Sequence, residues 1–158
     1  MASEHGFSAK AFHEKCDNRE NTLVLIHTKF GKTIGGYTHY PWDSGSGWVS
    51  DSRRRSFLFS LDMREKFVPQ EDGKLIFRQR SYGPTFGGGH DIYIADGSDS
   101  NSSTANFPET YNRAGGYKLE YNTDTFRKFS GGDTTSFKVE ECEVFRLWDS
   151  DIIRPRYA

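Results

Sequence analysis

The chain of 158 residues contains no run of about 18 apolar residues, the length a helix needs to cross a bilayer. No membrane-inserted segment is expected. The N-terminus, MASEHGFSAKAFHEKC, lacks the apolar core of a secretory signal. Cysteine is scarce: only Cys16 and Cys142 are present, far apart in sequence. Without a secretory signal, two free buried thiols are expected rather than a disulfide, and the expected location is intracellular and cytoplasmic. Charge of one sign is also lacking. The formal net charge is −1, and only Arg53-Arg54-Arg55 forms a like-charge run. Three residues make too small a footprint for nucleic acid, and a solvated loop rim accounts for them. Aliphatic content is low as well, with hydrophobic residues at 34%.

What is present is rings and glycine. The chain holds 13 Phe, 8 Tyr, 3 Trp and 16 Gly. Each ring buries a large apolar area, so a lean core can still be stable. Aromatic-rich, Gly-rich composition favours antiparallel β structure.

The local patterns agree. Ser8 can cap a short helix over residues 8–16, with Ala9, Phe12 and Cys16 near helical spacing. Residues 22–27, TLVLIH, read as a buried strand. A turn at 29–32 leads to a second strand at 33–38, giving a hairpin. The paired glycines inside that strand, Gly35 and Gly36, signal close backbone approach or a bulge. Residues 41–55 read as a polar loop, and 56–61, SFLFSL, as a central strand with both faces apolar. Residues 62–73 read as a charged connection. Further strands are expected at 75–79 and 90–95, a long loop over 96–116 anchored by Phe107 and Tyr111, a short edge strand at 118–121, and a last strand at 137–147. In that last strand both faces mix apolar and charged residues, which predicts a bulge or a half-covered strand. Leu23, Leu25, Phe57, Phe59, Ile92, Ile94, Val139 and Val144 are the expected core.

Residues 81–103, SYGPTFGGGHDIYIADGSDSNSS, raise the question of a phosphate site. A P-loop needs Lys-Ser/Thr and a helix after its glycines, and a dinucleotide fingerprint needs a helix too. Here Gly87-Gly88-Gly89 precede a strand, so neither fits.

Five stretches in this order, HGFSAKAFHEKCDN, LVLIHTKFGKTIGGYT, SFLFSL, FGGGHDIYIAD and FKVEECEVFRL, resemble the TLDc domain, in its protist-like variant with "GGYTHYPW". The resemblance covers roughly residues 5–148. The domain reading is a single TLDc-like domain over 1–148 with a tail at 149–158. By that resemblance, the helix and strand that the family usually carries before the "GFS" segment are expected to be absent here. The resemblance implies an α+β, mainly β fold: a two-sheet antiparallel β-sandwich flanked by short helices. It makes Gly35, Gly36, Phe57, Phe59, Gly87, Gly88, Gly89, Asp91, Glu141 and Glu143 structural motif residues. The glycines would form a corner that uses their freedom at positive φ, and Asp91 would accept backbone hydrogen bonds there. TLDc proteins are associated with resistance to oxidative stress, and some bind the vacuolar-type proton pump. The resemblance implies a non-catalytic interaction domain with a protein partner and no cofactor.

Two other classes compete. A thiol- or carboxylate-based enzyme could pair His13 with Cys16, three residues apart on a helix, or use Glu141 and Glu143 on one strand face. Core packing and surface charge explain the same residues, and Glu141 and Glu143 beside Cys142 would raise its thiol rather than activate it. A sensor could hold Ca²⁺ with Asp96, Asp99 and Asn101, although the spacing departs from the EF-hand template. His39, Trp42 and Trp48 could line a ligand shelf.

Overall fold

A computed structural model describes residues 1–71 and 73–148. Two short helices come first, α1 (Ala2–His5) and α2 (Ala9–Cys16). The Ser8 hydroxyl accepts the Ala11 N–H and caps α2, and the backbone turns extended at Asp17. The strands are β1 (Thr22–Thr28), β2 (Thr33–Thr38), β3 (Gly47–Ser50), β4 (Ser56–Ser60), β5 (Glu65–Pro69), β6 (Lys74–Arg78), β7 (Thr85–Phe86), β8 (Ile92–Tyr93), β9 (Ser103–Thr104) and β10 (Tyr111–Asn112). Helix α3 (Thr123–Phe129) and strands β11 (Ser136–Phe137) and β12 (Val139–Arg146) close the described chain.

Two six-stranded antiparallel sheets result, ordered β10-β5-β4-β2-β1-β12 and β11-β9-β8-β7-β6-β3. The expected hairpin of β1 and β2 forms, and β4 is interior. Between the sheets lies one core that includes Val24, Ile26, Ile34, Leu58, Phe67, Ile76, Phe86 and Ile92. Phe107 stacks on Phe129 with centroids 4.1 Å apart, and Phe67 meets Phe107 edge-on at 4.7 Å. The expected anchors Phe107 and Tyr111 are buried.

The pairing chooses faces that an all-apolar run cannot. Along β1, Thr22, Val24, Ile26 and Thr28 point inward, so Leu23 and Leu25 are half-buried on the outer face rather than core. In β4 the innermost residue is Leu58, and Phe57 stacks on Tyr37 outside. Val144 is likewise half-buried, while Phe59, Ile92, Ile94 and Val139 are buried as expected. The expected bulge is real. Thr28 pairs with Val139 and His27 with Glu141, leaving Glu140 as the extra residue. One inserted residue flips the alternation. Val139, Cys142 and Val144 therefore share the core face, and Glu141, Glu143 and Phe145 lie outside.

Other boundaries shift. Residues 41–55 contain β3 and residues 62–73 contain β5; both pair with strands already expected, which is information held by the partner. The strand expected over 90–95 keeps ladder pairing only at Ile92–Tyr93. The 96–116 loop contributes β9 and β10, and residues 118–121 form no strand. Helix α3 begins at an Asn122 cap whose side chain accepts the Thr125 N–H. The 149–158 tail lies outside the described residues. Among those described, no helix is long and apolar enough to cross a membrane.

The paired glycines of β2 show why they are there. A Cβ on Gly36 would sit 2.6 Å from the Phe86 ring of the opposite sheet, and one on Gly35 only 2.0 Å from the Val24 carbonyl. Backbone cannot swing aside as a side-chain tip can. Gly35→Ala is expected to be the more damaging of the two, by about 1–3 kcal/mol in equilibrium urea unfolding, the usual range for overpacking.

Candidate functional site

The glycine corner is a hub of hydrogen bonds. Gly87 turns the chain at φ +89, and His90 follows in the left-handed region at φ 62. A Cβ on Gly87 would fall 2.0 Å from the Asp91 carboxylate. Asp91 is fully buried, and its two oxygens accept the backbone N–H groups of Glu109, Thr110 and Tyr111 at 2.8–3.0 Å. The Gly88 N–H donates to Thr110 Oγ1, and the Gly89 N–H to Glu109 Oε2. The expected role of Asp91 is thus observed. The corner and the 109–111 segment hold each other, and the amides that would face a phosphate are occupied by protein oxygens. Burial pushes the Asp91 carboxyl up to about 6, opposed by the backbone N–H groups. Gly87→Ala is expected to cost about 1–3 kcal/mol, through positive φ and crowding. Gly88→Ala should cost less than about 1 kcal/mol, since its Cβ has 3.3 Å to Thr110 Oγ1. Thermal melting of the two variants checks the order.

The second feature is a cleft of about 420 Å³ at the β12 edge of the sandwich, under α1 and α2. Its walls include Phe7, Phe12, Cys16, Ile94, Cys142 and Val144. Both cysteines are free, as expected. Burial pushes the Cys16 thiol up to about 11, with the Asp17 charge adding to it. Burial, then Cys16 and Glu141, push Cys142 to about 12. Both thiols stay protonated near neutral pH, whereas thiol chemistry needs the thiolate. His13 does not serve Cys16. Its Nδ1 lies 2.7 Å from Asp17 Oδ1, and its Nε2 2.9 Å from the carbonyls of Gln79 and Tyr82.

Glu141 is also spent locally. Its Oε1 accepts the N–H of Ser3 and the N–H of Cys142, each at 3.0 Å. That pins α1 against an edge strand and occupies an edge amide, one way natural sheets blunt their edges. Burial pushes the Glu141 carboxyl up, but its hydrogen bonds, Ser3 first, leave it below the ordinary carboxylate range. Glu143 sits opposite Leu25 on the outer face.

The 96–104 loop is built around its own backbone. Asp96 Oδ1 accepts the Ala9 N–H at the start of α2, and the Asn101 amide donates to the Asp96 carbonyl. Lys29 Nζ reaches the Asp99 carbonyl, and Gly97 turns at φ +64. Among the described residues no group of three or more His, Cys, Asp or Glu side chains is arranged for a metal ion. His39, Trp42 and Trp48 do not form a shelf: Trp42 is fully buried, while Trp48 packs on Phe77 at 4.4 Å. Arg53-Arg54-Arg55 is split by its partners, with Arg55 on Asp51 and Arg54 reaching the Gln70 carbonyl.

Sequence reading missed the cleft altogether. Its walls come from the chain start, α2, residues 83–84, residues 94–98 and β12, and no local pattern joins them.

These features define a mainly β two-sheet sandwich whose buried carboxylate ties loops together and whose thiols are walls of a cleft. The TLDc-domain family model matches residues 1–148, and the chain belongs to that family. No match to a curated protein is found.

Proposed function

We propose that the chain is a non-catalytic interaction domain that works in protection against oxidative stress, by binding the vacuolar-type proton pump. Membership of the TLDc family supports the direction of this reading. The observation that carries the non-catalytic part is how the reactive candidates are used. The thiols of Cys16 and Cys142 are held protonated, His13 is bound to three oxygens, Glu141 holds two amides and Asp91 holds three. Side chains committed to holding backbone are poor acids, bases or nucleophiles, because catalytic groups need free geometry and a matched pKa.

The test is direct binding. Immobilised chain should capture purified vacuolar-type pump, or its released catalytic sector, saturably. The heat-unfolded chain should not. Failure of the folded chain to retain either form at micromolar concentration would refute the pump as partner.

A further inference from the structure

We infer that the cleft between α1, α2 and β12 binds a small amphipathic anion: an apolar tail inside and a carboxylate or similar head at the mouth. Its volume of about 420 Å³ falls within the usual range for small-molecule sites. The interior is apolar, with Phe7, Phe12, Ile94 and Val144 beside the two protonated thiols. The charged lining is one-sided. Lys15, Arg19 and Arg146 line the cleft, and no Asp or Glu does so among the described residues. The whole chain carries 22 acidic against 21 basic residues, so this separation is local. Lys15 and Arg19 are exposed and reach the mouth from α2 and its exit. The Arg146 guanidinium lies over the Trp148 ring, 4.5 Å from its centroid, and Trp148 is itself part of the lining. An uncharged apolar ligand would leave this basic rim unused. A cationic amphiphile would meet repulsion there. An anionic head meets attraction from the exposed Lys15, Arg19 and Arg146, and that attraction weakens as salt rises.

The experiment uses the full chain with octanoate, decanoate and dodecanoate, all below their micelle concentrations. Binding is followed by calorimetry and by the tryptophan fluorescence, to which Trp148 at the cleft contributes. Dodecanol and dodecyltrimethylammonium are the head-group controls. Affinity should rise about fourfold per methylene, the equivalent of burying one CH₂. Dodecanoate should bind at least tenfold tighter than the ammonium compound. Lys15→Glu combined with Arg19→Glu should erase that preference; both side chains are exposed, so the unliganded melting temperature should hold. Ala11→Phe, which fills the cleft, should abolish binding of the whole series. Should it fail to fold, the charge-reversed variant decides alone. Phosphatidylserine vesicles separate a monomeric amphiphile from a membrane surface. No saturable binding of dodecanoate, equal binding of the anionic and cationic heads, no effect of the charge reversal, or retention on vesicles without dodecanoate binding would each overturn the inference.

Discussion

Asp91→Ala is expected to destabilise the fold by on the order of 3–5 kcal/mol, measured by equilibrium urea unfolding at neutral pH. The carboxylate is fully buried and accepts three consecutive backbone N–H groups, those of Glu109, Thr110 and Tyr111. Alanine removes every acceptor at once. Each buried N–H left without a partner costs about 1–3 kcal/mol, and partial entry of water recovers some of it. Against a whole-domain stability of roughly 5–15 kcal/mol, that loss threatens folding at 37 °C. Asp91→Asn should be milder, since one oxygen remains. The pair also gives a pH signature. Burial raises the folded carboxyl to about 6, above its ordinary 3.8. The folded state therefore holds this proton more tightly than the unfolded chain does. The stabilising share is fully present below about pH 4 and is lost as pH rises through 6. The stability advantage of wild type over Asp91→Asn should thus shrink by on the order of 2–3 kcal/mol between pH 4 and pH 7.

Trp42→Ala should cost about 3–5 kcal/mol in the same assay, the range for emptying a buried ring site. Trp42 is fully buried, touches Phe12 and Phe86 edge-on, and donates its indole N–H to Thr22 Oγ1 at 2.9 Å. Its backbone carbonyl also accepts the Asn18 N–H. Trp42→Phe should recover more than half of the loss, because it keeps a ring and gives up the hydrogen bond and only the smaller part of the buried volume. An Ala variant within 1 kcal/mol of wild type would contradict the packing described here.

Trp42 marks the boundary of what sequence could show. It sits in a stretch of Pro, Gly, Ser and Asp, so local chemistry reads it as loop, and loop it largely is. Only the tertiary arrangement turns its ring inward beneath α2. The hairpin of β1 and β2, the cap at Ser8 and the role of Asp91 were legible, because each is written within a short window or in a motif. Leu23 against Val24 was not. Every position in that run suits a core, and the register with β2 and β12 alone decides which side faces the other sheet. Strands β7 to β11 are two residues each, too short for periodicity to register. For the candidate site the same logic holds. The free state of the two thiols could be anticipated from context, and so could the upward push on Cys142. Their shared cleft could not, since 126 positions separate 16 from 142.

The claim that this domain protects by binding and not by thiol chemistry is tested most directly by survival under peroxide. Cells lacking their own copy would express wild type or the Cys16→Ser, Cys142→Ser double variant, with folding of the variant verified by its melting transition. Thiol-based reduction of peroxide requires a thiolate that this variant does not have. The account predicts survival equal to wild type. Complete loss of protection by a folded double variant would contradict it and make the cleft thiols the active centre.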